Sequence, residues 1–300
     1  MISRVVKPTN NPFMTNIMNN ESLQQGTLYI VGTPIGNLED ITFRAIRILK
    51  SVNLIAAEDT RHTAKLLHHF EITTPQVSYH HHNRTARHTQ LLNYLEEGQT
   101  IALVTDAGMP GISDPGYDLI YTCIIANIPV IPIPGATAAI TALSVSGLPT
   151  DRFIFEGFLP LKGKDRSDRL NQLMTETRTI IIYEAPHRLL KTLRNFKEVF
   201  GQDHQITVAR ELTKRYEEFW RGTLDNAILY YQNSQQIKGE FTLIIAGGSQ
   251  NDGLELTIEE LKDELQQLLK QGMTRSQASR QLAKVTHFSR RQIYDLSLEN

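Results

Sequence analysis

The residues with most to offer chemically lie between Leu103 and Gly116, L-V-T-D-A-G-M-P-G-I-S-D-P-G, where an apolar run stops in a loop of three glycines, two prolines and two aspartates. Gly108, Gly111 and Gly116 open backbone conformations closed to other residues and let a ligand approach the chain, while Pro110 and Pro115 remove freedom and amide donors. The result is a stiff, pre-shaped loop after a buried strand, Ile101 to Val104, the place where open α/β sheets hold small molecules. Ordinary surface loops share this composition. Here, however, similar punctuation recurs in G-T-P-I-G-N (Gly32 to Asn37), A-E-D-T-R-H-T (Ala57 to Thr63) and P-G-A-T-A-A (Pro134 to Ala139). Taken alone, Glu58, Asp59 and Arg61 read as a capped helix start with a surface ion pair. His80, His81 and His82 invite a metal reading, but neighbours on an extended segment alternate sides, so only His80 and His82 could share an ion, with distant ligands. No metal is expected.

These loops need strands to hold them. Leu28 to Val31, Leu54 to Ala57, Ile101 to Val104 and Val130 to Ile133 are apolar runs of strand length, followed by helical segments starting near Asp40, Thr60, Gly116 and Thr137. That alternation predicts a parallel sheet with its loops on one edge. A second unit begins near Pro149, with strands expected at Phe153 to Glu156, Thr179 to Tyr183, Ile206 to Ala209 and Phe241 to Ala246, the last closing the unit. The polar first 25 residues predict disorder, giving a division into 1–25, an α/β domain 26–148, a second α/β domain 149–250 and a helical tail 254–300. A formal charge of −1 leaves no overall electrostatic footprint for nucleic acid, so any such binding must come from local patches. The single cysteine, Cys123, excludes an internal disulfide and reads as core filler in a reducing, cytoplasmic setting. The most hydrophobic stretch, Ile124 to Ala142, is broken by three prolines and cannot span a membrane. Neither G-x-G-x-x-G nor G-x-x-x-x-G-K-[ST] occurs in a strand-to-helix setting, which demotes NAD and ATP as ligands.

The pattern resembles the tetrapyrrole-methylase-like, class III family of S-adenosylmethionine-dependent methyltransferases. The residues carrying it are Val31 to Ala45, Ala56 to Thr63, His80 to Asn83, Asp106 to Gly116, Pro134 to Leu143, Y-E-A-P-H-R-L (Tyr183 to Leu189) and A-R-E-L-T-K (Ala209 to Lys214). Within the family the chain is similar to the branch that methylates a cytidine 2′-hydroxyl, cytidine 1402 in its usual naming, in 16S ribosomal RNA. The resemblance implies two α/β/α domains with the cofactor cleft between them, a homodimer, and a small ribosomal subunit or its precursor as partner. Where corrin enzymes carry G-x-G-P-G and Gly-Asp-Pro, this chain has Ile35 in place of the proline and Gly108-Met109-Pro110, which argues against a corrin substrate. The positions implied for the cofactor are Ile35, Gly36, Gly108, Met109, Pro110, Ile112, Ser113, Thr137, Ala138, Tyr183, Glu184, Phe241 and Thr242. Because a sulfonium methyl is already activated, positioning matters most and a base adds about 10²- to 10⁴-fold. Candidates for base or orienter are Glu58, Asp59, Asp106 and Glu184, with Arg61 as phosphate clamp and His82 and Asn83 near the target ribose.

The tail carries three S/T-x-x-E/Q capping boxes, Thr257 with Glu260, Thr274 with Gln277 and Ser289 with Gln292, predicting three helices. Leu261, Leu265, Leu268, Leu269, Ala278, Leu282, Val285, Ile293 and Leu296 should face inward, with Gly272 ending the first helix. Lys270, Arg275, Arg280, Lys284, Arg290 and Arg291 follow one another with no acid between them, the pattern of a helix-turn-helix-like unit that would hold RNA. A packing or dimerisation appendage is the alternative for the tail, and a non-catalytic RNA-binding protein the alternative for the whole chain.

Overall fold

A computed structural model describes residues 23–80, 84–234, 236–248, 257–283, 286, 288 and 290–298. The expectations for residues 1–22, His81, His82, Asn83, Lys284, Val285 and Ser289, and for the side chains of Arg290 and Arg291, lie outside the described residues. The chain forms two compact units, one running to Ala142 and taking in Arg210–Glu218, the other made of Leu143–Ala209 and the chain from Phe219 onward.

The first unit runs β1 (Leu28–Val31), α1 (Phe43–Ser51), β2 (Leu54–Ala57), α2 (Thr60–His69), β3 (Gln76–Ser78), α3 (Arg84–Glu96), β4 (Ile101–Val104), α4 (Tyr117–Ile125), β5 (Val130–Ile133) and α5 (Ala138–Ser144), α5 reaching into the second. The sheet order is β3-β2-β4-β1-β5, and every pairing is parallel. Successive strand residues point to opposite faces. Tyr29, Val31, Ile55, Ala57, Ala102 and Val104 therefore join one core with Ala45, Ile48 and Leu49 of α1, and Leu28, Ile30, Leu54, Ala56, Ile101 and Leu103 join another with Leu119 and Cys123 of α4. Cover on both faces explains why these strands read as unbroken apolar runs. Burial pushes the Cys123 thiol up to about 12, as suits a core residue. The edge strand β3, Q-V-S, was not expected because it is short and half polar.

The strand order sets the site. The connection leaving β1 leads to β2, beyond β4, while the one leaving β4 leads to β5, beyond β1. These two connections leave to opposite faces of the sheet, α1 joining one core and α4 the other, and such a switch at the carboxyl edge is where open α/β sheets hold ligands.

The second unit contains β6 (Phe153–Phe158), α6 (Gly163–Leu173), β7 (Thr179–Glu184), α7 (Leu189–Phe200), β8 (Gln205–Arg210), β9 (Glu218–Thr223), α8 (Leu224–Asn233) and β10 (Phe241–Ile245), in the sheet order β6-β7-β10-β8-β9. The last strand thus lies in the middle of the sheet, antiparallel to β7. The basic stretch from Leu161 forms α6, whose Arg166 is buried and donates to the Pro160 carbonyl at 2.9 Å, Thr192 Oγ1 at 2.8 Å and Asn195 Oδ1 at 3.1 Å. Three tail helices follow, α9 (Ile258–Lys270), α10 (Arg275–Leu282) and α11 (Arg290–Leu296). The boxes at Thr257 and Thr274 are formed, and Gly272 closes α9 at φ 90° with its N–H on Leu269 O and that of Met273 on Leu268 O. Leu261, Leu265, Leu268, Ala278, Leu282 and Ile293 make a small core of their own. No helix among the described residues is long and apolar enough to cross a membrane.

Candidate functional site

The loops after β1, β4 and β5 meet. Thr33 N–H donates to Gly108 O at 3.0 Å, Gly108 N–H to Thr33 O at 3.1 Å, and Thr33 Oγ1 to Thr105 O at 3.0 Å, so the first two loops are tied across the crevice. Gly32 and Gly135 press backbone on backbone, since a Cβ built on either falls 2.7 Å from the other's Cα. Gly108 holds φ 83°, where a side chain is strained. Met109 lies over Gly32, its sulfur 2.7 Å from where a Cβ would stand, and Ile35 and Pro110 are buried beside the junction. Thr137 starts α5 by accepting Ile140 N–H at 3.3 Å, with Ala138 as the first helical residue. Ile112 and Ser113 differ from the rest. They stand exposed on the outer part of the loop, Ser113 at φ 62°. At the base of the crevice Thr105 Oγ1 is buried without a hydrogen-bond partner among the described residues. A bare backbone cradle with an orphaned hydroxyl fits a small polar ligand.

The carboxylates are stitched together one strand over. Asp106 N–H donates to Glu58 Oε2 at 3.4 Å, and Asp59 N–H donates to Asp106 Oδ1 at 3.2 Å. Asp59 caps α2 through Arg61 N–H at 2.8 Å and grips the Arg61 guanidinium with both oxygens, at 3.1 and 2.7 Å. The Arg61 hydrogen bond holds the Asp59 carboxyl well below the usual carboxylate range, which makes it a poor proton acceptor. The capped-helix reading and the clamp reading therefore describe one arrangement, in which Asp59 orients an Arg61 side chain 89% exposed. Glu58 and Asp106 remain as the acid–base candidates of this unit. Among the described residues, no group of three His, Cys, Asp or Glu is placed to hold a metal ion.

In the second unit Tyr183 pairs with Thr242 and Glu184 with Phe241 across β7 and β10, so these four positions share one corner. The Tyr183 ring packs edgewise on Phe155 at 5.0 Å and Phe158 at 5.7 Å. Glu184 is held differently from the other carboxylates. Its side chain is fully buried, with Oε1 held by Arg188 Nε at 3.0 Å and Ala185 N–H at 2.9 Å, and Oε2 held by Thr192 Oγ1 at 2.5 Å. Both carboxylate oxygens are thus engaged within the second unit, which favours a structural role for Glu184 over proton transfer.

The segment Arg210–Glu218 belongs to the first unit, although it lies between two strands of the second sheet in chain order. A Cβ on Gly36 would overlap the Lys214 stem and come within 2.9 Å of Thr213 Oγ1. The run A-R-E-L-T-K, Ala209 to Lys214, leads into this segment. On the tail, Arg275 and Arg280 are exposed on α10.

Comparison with known proteins agrees with this architecture. The family model for Tetrapyrrole (Corrin/Porphyrin) Methylases matches residues 27–228. A Synechocystis sp. protein named Ribosomal RNA small subunit methyltransferase I is 60% identical over 274 residues, covering 91% of this chain and 98% of that protein. A Halalkalibacterium halodurans protein of the same name is 50% identical over 275 residues, 91% of this chain and 94% of its own length. Among solved structures, uroporphyrin-III C-methyltransferase from Thermus thermophilus complexed with S-adenosylhomocysteine superposes with a TM-score of 0.51 at 18% identity, covering 73% of this chain and 97% of that one.

Proposed function

Since the chain belongs to the tetrapyrrole (corrin/porphyrin) methylase family, we propose that it transfers a methyl group from S-adenosylmethionine to the 2′-hydroxyl of a cytidine in 16S ribosomal RNA. The proposed target is the cytidine numbered 1402 in the usual naming of the branch that the chain resembles. The observation that carries this reading is the 60% identity over 98% of a relative named for small-subunit ribosomal RNA methylation. The substrate would be a small ribosomal subunit or its precursor in the cytoplasm, with the chain acting as a homodimer.

When bound, S-adenosylmethionine supplies an activated methyl group that needs no Lewis acid. The chain's task is then to place the ribose oxygen in line with it and receive one proton. The junction of Gly32, Gly108 and Gly135 offers backbone and the Thr105 hydroxyl to the cofactor, with Ile35, Gly36, Met109, Pro110 and Thr137 around it. Ile112, Ser113 and Ala138 would extend that contact, and Tyr183, Phe241 and Thr242 are the further cofactor-binding positions proposed on the resemblance. Glu58 or Asp106 accepts the proton, and Arg61, oriented by Asp59, holds a phosphate of the target strand. His82 and Asn83 would stand near the ribose. Arg275, Arg280, Lys284, Arg290 and Arg291 of the tail would bind phosphates farther along the RNA.

Mass mapping of 2′-O-methyl groups in ribosomal RNA from cells with and without the gene tests this reading. One cytidine methyl should vanish with the gene and return with the full chain. A chain ended at Gly253 should restore it poorly, because the tail cations are gone. An unchanged map would end the assignment, whereas full restoration by the shortened chain would remove the tail from RNA binding.

A further inference from the structure

We propose that the turn carrying Lys214, Arg215 and Tyr216 is a binding site for single-stranded RNA, with Tyr216 as a stacking platform for a base close to the methylated nucleotide. The inference rests on the RNA reading above and assigns that RNA a contact surface on the first unit. Three observations on this turn converge.

Its tip presents the right chemistry. Tyr216 is 65% exposed, and the Arg215 guanidinium lies 5.6 Å from its ring centroid. An aromatic face beside a cation is the usual receptor for an unpaired nucleotide, the base stacking on the ring and the phosphate meeting the charge. Single-stranded positions are also where an unstacked base can be splayed out onto an aromatic side chain.

The turn is also held rigid at a conformational cost. Glu211 stands at φ 50° and Thr213 at φ 64°, the latter a β-branched residue in the left-handed region. Strain of this kind persists only where surrounding bonds over-determine it. Thr213 N–H donates to Glu217 Oε1 at 2.7 Å, Lys214 N–H to Glu211 O at 2.9 Å, and Glu217 N–H to Lys214 O at 3.1 Å. Ion pairs join Lys214 to Glu211 at 3.0 Å and Arg210 to Glu218 at 3.1 Å. A pinned base below an exposed Arg-Tyr tip is the construction of a presenting loop, and a ring held this way loses little freedom on stacking.

Its location completes the case. Lys214 and Thr213 close over Gly36, in the loop that leaves β1 and is tied to the loop after β4. The tip is therefore anchored to one of the loops assigned to methyl transfer. A base stacked on Tyr216 belongs to a nucleotide near the target, and the Arg215 charge is placed for its phosphate.

The test measures binding of an oligoribonucleotide of the small-subunit target sequence by fluorescence anisotropy, with S-adenosylmethionine affinity measured alongside to report on the fold. Tyr216→Ala should weaken RNA binding about tenfold or more, the usual worth of a lost base stack, while Tyr216→Phe, which keeps the ring face, should bind like the parent. Arg215→Ala should flatten the slope of log K against log salt by about 0.7, as for one phosphate contact on a single strand. Cofactor affinity should not change in any of the three. Parent-like RNA affinity in Tyr216→Ala would overturn the proposal, as would a loss of dimeric mass with RNA binding intact, which would make the turn a protein interface. If the parent itself neither binds this RNA nor methylates small ribosomal subunits lacking the modification, the functional reading falls first and the inference with it.

Discussion

Replacing Gly135 by alanine is expected to lower methyl transfer about 100-fold while the chain still folds. The added Cβ would stand 2.7 Å from Gly32 Cα and 2.8 Å from Gly32 C and O, distances that no rotamer change relieves because every atom is backbone. The loops after β1 and β5 must therefore part. A displacement near 1 Å at reacting groups costs about two orders of magnitude in rate, whereas overpacking at one point costs only about 1–3 kcal/mol in stability. Gly32→Ala should behave alike, since its Cβ meets Gly135 Cα and Met109 Sδ, both at 2.7 Å. Steady-state kinetics with a thermal melt decides the matter. A Gly135→Ala protein with the parent's kcat/KM would show that this junction does not shape the site.

The second large effect is expected in stability. Glu184→Ala should destabilise the second unit by about 3–5 kcal/mol, because breaking a buried ion pair from one side leaves uncompensated charge. Arg188, which also donates to Leu159 O at 2.6 Å, would lose its carboxylate partner, and the neighbouring buried Arg166 would feel that loss as well. For a unit of this size the melting temperature should fall by roughly 10 °C. Differential scanning calorimetry on the full chain measures it. A variant that melts like the parent but transfers no methyl group would restore Glu184 to the reaction and contradict its assignment to packing.

The sequence was most legible where one physical rule dominated. Strands β1, β2 and β4 are buried on both faces, so their apolar runs marked both existence and bounds, and β5, only partly buried at the sheet edge, was still legible from its apolar residues. The caps at Thr257 and Thr274 and the αL glycine at Gly272 were readable because capping is local chemistry. Legibility failed where tertiary context decides. The edge strand β3 has no apolar run, α6 lacks a clean stripe because its buried face includes Arg166, and the central place of β10 follows from pairing, which no local pattern encodes. Glu184 looked catalytic beside a tyrosine at a strand end, yet its partners, Arg188 and Thr192, are visible only once α7 is in place. Arg210–Glu218 was hidden for the same reason. The chain order places it between two strands of the second sheet, while the fold gives it to the first unit.

The central claim is most directly tested by incubating the purified full-length chain with S-adenosylmethionine carrying an isotopically labelled methyl group and with small ribosomal subunits lacking the modification. The label is then located by mass spectrometry of nuclease digests. The account predicts the label on the ribose oxygen of a single cytidine of the 16S RNA. Label on a base, or none on RNA while a corrin or porphyrin substrate accepts it, would contradict the account.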